Sequence, residues 1–382
     1  MTLHAKLSPS AADRWMTCPG SVWLSGGMPS TPNAYAEEGT LAHALGARCL
    51  DEALDAHRFV GQVFEYEDHG QNKTAVITEE MAGNVMVYVD HVRSLGGLQH
   101  YEQVVAVDER VYGTADAGVW QENARALHII DLKYGAGLRI EVVDNFQLKI
   151  YALATLLTFG YRAETVTSTI VQPRCQGGAG AVRSATYSVV DLLDFHADLL
   201  DAIARVEQAK TDPTQHLVPS EKGCRWCLAA PTCPALKSKA QELAKQVFAP
   251  DALYDEAELA QTLDYLPILE GWIKNVREFA YAEAEKGREI PDWKLVEKRA
   301  TRKWRDAAQA LSTLKDSCPE WDPGLFVTPP ELKSPAVIEK LIAKDQRALI
   351  EELCLKESSG HALVHSSDKR PAIKVDARSA FG

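Results

Sequence analysis

Residues 111–152, VYGTADAGVWQENARALHIIDLKYGAGLRIEVVDNFQLKIYA, decide the fold. The runs 111–120 and 126–133 are rich in β-branched and aromatic residues, and the polar QENAR between them reads as the turn of an antiparallel hairpin. Asp116 then lies on one strand and Asp131 on its neighbour. Residues two apart on a strand share a face, so Asp131 and Lys133 project together while Leu132 enters the core. After a turn at 134–137, residues 144–159 carry apolar side chains at helical spacing, with Asp144 as the expected N-cap. Gln147 and Tyr151, four apart, occupy one face of that helix.

Two carboxylates on adjacent strands beside an amine suit hydrolysis of a phosphodiester by bound metal. The acids offer hard oxygen ligands to Mg²⁺ or Mn²⁺, the metal lowers the pKa of a bound water, and the lysine orients that water and offsets charge on the phosphate. An isolated Asp-x-Lys, by contrast, recurs by chance and describes any solvated hairpin.

The combination is more specific than its parts. Gly113-x-x-Asp116, Asp131-x-Lys133 and Gln147-x-x-x-Tyr151, in that order, resemble the PD-(D/E)XK nuclease superfamily and its RecB-like exonuclease branch. Upstream, Glu38-Gly39-x-x-x-His43 resembles that branch's helix-borne histidine, a metal ligand; taken alone, a helical histidine is more often packed or at the surface. The resemblance covers roughly residues 8–240. It implies an α/β core with a mixed sheet flanked by helices. It also implies metal ligation by His43, Asp116 and Asp131 with the Leu132 carbonyl as a further oxygen, and a water-positioning Lys133. Gln147 and Tyr151 then orient the lysine or the scissile phosphate.

With 382 residues, 46% of them hydrophobic, the chain can build one large core or a core with an appendage. No apolar run reaches membrane-spanning length and MTLHAKLSPS lacks a hydrophobic signal segment, so a soluble, cytoplasmic protein is expected. A net charge of −12 disfavours broad coating of nucleic acid, yet it is compatible with a local path that takes one strand.

Along the chain, a short helix capped by Ser8 or Ser10 is expected to stop at Cys18-Pro19-Gly20. Residues 35–56 form a long helix carrying His43, and 78–95 a second. A strand at 104–111 leads into the hairpin. Strands at 165–172 and 186–190 flank a Gly-rich turn, and a helix follows at 191–210. Helix, three strands, helix, strand is an α/β order.

Eight cysteines are present: Cys18, Cys49, Cys175, Cys224, Cys227, Cys233, Cys318 and Cys354. Cys224-x-x-Cys227-x5-Cys233 is tight enough to ligate a metal or cluster, and Cys18, in its own Cys-Pro-Gly context, is the natural fourth ligand. Spacing leaves iron–sulfur and Zn²⁺ both open. An early cysteine with a late triplet resembles the iron–sulfur staple of AddB-type and CRISPR-associated RecB-like nucleases, which implies a [4Fe–4S] cluster whose loss unfolds the N-terminal segment. The other four cysteines are assigned to ordinary packing or surface positions.

Helices are expected at 235–248 and 256–286. Residues 296–306 place Lys298, Arg302 and Arg305 with Trp304 on a helical or ribbon face, either a nucleic-acid contact or a solvated surface with one anchoring tryptophan. Further helices fall at 334–344 and 346–356. The expected organisation is a nuclease core at 1–250, a helical extension at 251–290 and a small appendage at 291–382.

The resemblance thus implies a Mg²⁺- or Mn²⁺-dependent deoxyribonuclease, exonucleolytic, acting on single- or double-stranded DNA ends with a single-strand-binding or helicase partner. Chains similar throughout are typically phage or prophage encoded, which implies a role in phage replication, recombination or end processing. Two alternatives stay open: a catalytically silent module that binds DNA ends, and a zinc-stabilised scaffold of a replication complex.

Overall fold

A left-handed glycine, Gly97, whose Cβ would strike the Trp120 carbonyl at 2.3 Å, lets the chain turn into the first strand of the central sheet. In this computed structural model, residues 5–28, 34–68, 70–135, 139–175, 180–247, 256–297 and 301–317 are described. So are 327–328, 331–332, 334–335, 337–338, 347–357, 361–365 and 371–373. Lys298, Cys318, the Pro-containing loops at 319–323 and 329–330, the Gly-rich 176–179, residues 136–137 of the expected turn and most of the helix expected at 334–344 lie outside the described residues.

The chain divides into two compact units, Met1–Trp272 and Ile273–Gly382. The division falls inside the helical extension expected at 251–290. In the first unit, α1 (Ala12–Thr17) and α2 (Gly20–Leu24) precede α3 (Ala34–Asp51). A hairpin of β1 (Val63–Asp68) and β2 (Gln71–Val76), unanticipated from sequence, is followed by α4 (Glu79–Ser94). Then come β3 (Leu98–Ala106), β4 (Tyr112–Gln121), β5 (Ala126–Leu132), α5 (Phe146–Phe159), β6 (Thr165–Val171), β7 (Val182–Ser188) and α6 (Val189–Gln208). Short α7 (Glu221–Arg225) and α8 (Pro234–Val247) follow, and α9 (Glu256–Glu285) runs across the division.

The fold is α/β: a five-stranded mixed sheet in the order β3-β4-β5-β6-β7, antiparallel except for β5 beside β6. The α5 crossover makes that parallel step possible. Strand alternation splits the core: Leu127 and Ile129 bury with α1, α5 and α6, whereas Ile130 and Leu132 bury with α3 and α4.

Four expectations shift. The strand set at 186–190 is Val182–Ser188, because Ser188 and Asp191 form a capping box that starts α6 at Val189. The strand set at 104–111 is Leu98–Ala106, because the Asp108 carboxylate accepts from the Arg110 and Val111 amides (2.8 and 3.0 Å) and closes a turn there. The cap of α5 is Asn145, which accepts from the Leu148 amide at 3.2 Å; Asp144, at φ 53°, belongs to the turn before it. The helix at 346–356 ends at Leu353 and continues as a strand, Cys354–Glu357, drawn into pairing with Thr301–Trp304.

In the second unit, β8 (Trp293–Glu297) pairs with residues 361–365, and β9 (Thr301–Trp304) with 354–357. A small cluster of Leu314, Ile338, Ile350 and Cys354 packs Trp304 against it.

Candidate metal centre and cysteine cluster

The β4–β5 ladder stops at Ala117 opposite Ile130. One step further in the same register stand Asp116 and Asp131, unpaired because the strands splay there. Freed from the ladder, the Leu132 amide donates to Asp116 Oδ2 at 2.7 Å. On the other side of β4, Tyr101 pairs with Ala117 and Gln103 with Ala115, which sets Glu102 level with Asp116. Glu102 takes φ 46°, a left-handed conformation that an L-residue adopts at a cost of roughly 1–2 kcal/mol. Three carboxylates on three adjacent strands therefore stand in one row.

From α3, His43 Nδ1 lies 3.4 Å from Asp116 Oδ1. Ligand atoms of His43, Glu102 and Asp116 all lie within 4.8 Å of one another. Sequence reasoning had His43 and Asp116 but not Glu102, whose place depends on register and a local backbone kink. Asp131 is outside that trio and joins the site through Lys133. The Lys133 ammonium is 3.1 Å from Asp131 Oδ1 and 2.8 Å from Oδ2, and it donates to Gln147 Oε1 at 3.1 Å. Gln147 Nε2 donates in turn to Asp131 Oδ1 at 3.0 Å, closing a three-residue ring. Asp131 Oδ2, despite its nearness to Lys133, lacks hydrogen-bond geometry and is buried without such a partner. Tyr151, also expected here, is buried beside Gln147, and its hydroxyl occupies the space a Cβ at Gly113 would need (3.2 Å).

The electrostatics follow from crowding acids together, with Asp131 buried, Asp116 half-buried and Glu102 exposed. Burial works to lower the His43 pKa, but the adjoining Asp116 carboxylate, with Glu102 and Asp131 behind it, outweighs burial and lifts it to about 9. Loss of hydration, then the Asp116 charge, pushes Glu102 up to about 8. Burial also raises Asp131, whereas His43, Lys133 and the Leu132 amide hold Asp116 below the usual carboxylate range in spite of burial. Burial opposes charge on Lys133, and the Asp131 and Asp116 carboxylates override it and keep the amine protonated. Without a cation, such a centre gathers protons.

The donor set fits a hard divalent ion: carboxylate oxygens with one imidazole, and a buried Asp131 oxygen lacking a hydrogen bond.

Elsewhere in the first unit, Cys18, Cys224, Cys227 and Cys233 line one small cavity with Leu217, Val218 and Gly223, all four as free thiols. Backbone amides of Val218, Ser220 and Leu236 donate to the sulfurs of Cys18, Cys224 and Cys233 at 3.2, 3.4 and 3.5 Å. Gly20 makes this closure possible, since a Cβ there would lie 2.1 Å from the Pro213 carbonyl oxygen. Burial pushes the Cys224 thiol up to about 11. Cys49 is buried and Cys175 half-buried, neither lining that cavity, and Cys354 is buried within the second unit.

The basic segment is a ribbon. Arg302 sits on β9 opposite Lys356, Trp304 is half-buried against its small cluster, and exposed Arg305 donates from Nε to the Cys354 carbonyl at 3.3 Å. Arg305 stands just past the end of β9.

The class these features define is an α/β protein with a mixed five-stranded sheet and a His–Glu–Asp cluster at its splayed β4–β5 junction. Residues 4–371 match the family DUF2800, described as a protein of unknown function, and the chain belongs to that family. None of the described helices is long and apolar enough to cross a membrane.

Proposed function

We propose that this protein is a Mg²⁺- or Mn²⁺-dependent deoxyribonuclease of the PD-(D/E)XK superfamily, RecB-like branch, removing nucleotides from DNA ends. The row Glu102–Asp116–Asp131, flanked by His43 and a protonated Lys133, carries the proposal. His43, Glu102, Asp116 and Asp131 are the residues that would hold the ion. Bound there, it supplies positive charge to the phosphoryl oxygens and lowers the pKa of a water. Lys133, kept charged by two acids, directs the attacking water and offsets phosphate charge. Gln147 fixes Lys133 and Asp131 together, and Tyr151 backs Gln147.

At the four cysteines the reading is a [4Fe–4S] cluster, on their resemblance to the AddB-type staple, with Zn²⁺ as the alternative. Four thiolates about a tetrahedral Zn²⁺ at 2.3 Å lie about 3.8 Å apart. A cubane spreads its ligands more widely, and amide donors to the sulfurs suit it.

End-labelled single- and double-stranded DNA, incubated with Mg²⁺ or Mn²⁺, tests the activity. Lys133→Ala should cut the rate by about 100-fold or more with an unchanged circular-dichroism spectrum; wild-type activity in that variant would overturn the assignment. Purified without oxygen, the protein should be brown, with iron and sulfide, and a colourless protein holding one zinc would rule out the cluster.

A further inference from the structure

Arg174 stands three residues beyond the end of β6, on a turn closed by the Cys175 amide donating to the Gln172 carbonyl at 3.3 Å. The same strand end receives the Lys133 amide on the Val171 carbonyl at 2.8 Å, so Arg174 rides on backbone tied directly to the lysine. Its guanidinium lies over the ring of Tyr134, the residue after Lys133, 4.8 Å from the centroid. Tyr134 is buried and its hydroxyl is bonded to Asn84 on α4, so the platform does not move freely. From there Arg174 Nη1 donates to Glu38 Oε2 at 2.8 Å, and Nε stands 3.7 Å from Glu80 Oε1.

Glu38 is on α3, five residues before His43. The other described polar ties of that end of α3 lead away from the sheet, to the β1–β2 hairpin: Glu37 to Lys73 at 2.9 Å and Thr40 to Asp68 at 3.4 Å. Among the described residues, Arg174–Glu38 is the ion pair that joins the histidine-bearing helix to the lysine-bearing strand end. His43 and Lys133 approach the carboxylate row from different elements, and their spacing is only as good as the link between those elements.

We propose that Arg174 is a positioning residue, a latch that sets His43 against the carboxylate row by holding α3 to the end of β5 and β6; this rests on the metal-centre assignment above. The latch uses the shape of arginine. One edge bonds Glu38, a second nitrogen faces Glu80 and the flat face covers Tyr134, a set that the single ammonium of lysine cannot reproduce.

The test uses the full chain, with Mn²⁺ as probe. Binding is followed by the loss of free-ion electron paramagnetic resonance signal, and amide hydrogen exchange of 34–43 is followed without metal. Arg174→Met should weaken Mn²⁺ about tenfold, as loss of an outer partner does, and speed exchange across 34–43. Glu38→Gln should do the same, and Arg174→Lys should fall between. The swapped pair Arg174→Glu with Glu38→Arg should recover most of the affinity lost in either single charge reversal, a rescue that general destabilisation does not give. Wild-type Mn²⁺ affinity and exchange in Arg174→Met would overturn the latch. If the wild-type protein binds no Mn²⁺, the metal assignment fails and the latch with it. If the wild-type binds and the swapped pair rescues nothing, the latch alone is overturned.

Discussion

Glu102 and His43 both hold protons more tightly in the folded chain than when free, so the centre's chemistry is coupled to pH. Glu102 moves from 4.5 to about 8 and His43 from 6.5 to about 9. For a group whose folded pKa is raised, the native state binds more protons than the unfolded state between the two values, so stability falls as pH rises through that window. Both groups have the same sign. The metal-free protein should therefore lose thermal stability as pH climbs from about 6.5 to 9, with Glu102 beginning the loss lower, near 4.5. In the proposed metal centre a divalent ion would take the place of those protons. Mn²⁺ should accordingly bind more tightly as pH rises over the same range and release protons as it binds. Melting curves in EDTA and in Mn²⁺, with calorimetry in buffers of different ionisation enthalpy, check both statements; a Mn²⁺ affinity that is flat from pH 6.5 to 9 contradicts them. Glu102→Gln separates the missed ligand from its neighbours. It removes one acid from the row and should weaken Mn²⁺ about tenfold or more, while the metal-free protein gains stability at pH 8 because a negative charge crowded by Asp116 and Asp131 is gone.

At the scale of elements, the site depends on small devices that hold strand and helix ends. The α5 helix brings Gln147 to Lys133, and its first turn is fixed by the Asn145 side chain on the Leu148 amide. Asn145→Ala should cost about 1 kcal/mol, lowering the melting temperature by about 2–4 °C, and it should slow DNA cleavage because Gln147 lies in the turn that frays. Asp144→Asn, which keeps a residue tolerant of positive φ, should leave the melt within a degree. Such details mark what sequence could and could not convey. The β4–β5 hairpin was legible because apolar alternation and a polar turn are local signals, and α5 because its apolar spacing is helical. Its cap was misplaced by one residue, since Asp144 and Asn145 are equally good caps by composition and only the backbone path chooses between them. Glu102 was illegible for a deeper reason. It fell outside the strand expected at 104–111, and its place in the row arises from pairing of β3 with β4 and from a left-handed kink inside β3. Neither leaves a short-range pattern. The β1–β2 hairpin escaped notice although its residues alternate, and the basic ribbon at β8–β9 took its form from pairing with residues about fifty to seventy positions downstream.

At the scale of the whole first unit, the four cysteines bring together segments far apart in sequence, and the question is which of them would depend on the proposed cluster. Sequence alone pointed to the N-terminal segment. Packing points the other way. Trp15 is fully buried, Leu7, Met16 and Val22 share its core, and Arg205 and the Val206 carbonyl bond to Met16 and Trp23 (3.0 and 2.7 Å). Such a segment stays folded by burial. The opposite partner is thin: between 217 and 233 only Gly223, Ala229 and Ala230 are buried, while Trp226 is 73% exposed and Val218 and Leu228 are largely so. Few buried apolar contacts mean a low local unfolding free energy once the cross-link is gone. Closing a loop of roughly 200 residues restricts the unfolded chain by about 5 kcal/mol on a chain-entropy estimate, so its loss is felt globally, yet opening should begin where packing is weakest. Trypsin should then cut first after Lys222 or Arg225 in Cys224→Ser, and in the wild-type protein after the cluster is destroyed by oxidation, with Arg14 protected until global unfolding. Timed digestion with mass spectrometry reads the order of cuts. First cleavage after Arg14 would return the dependence to the N-terminus and mean that burial of Trp15 is not enough to hold α1 in place.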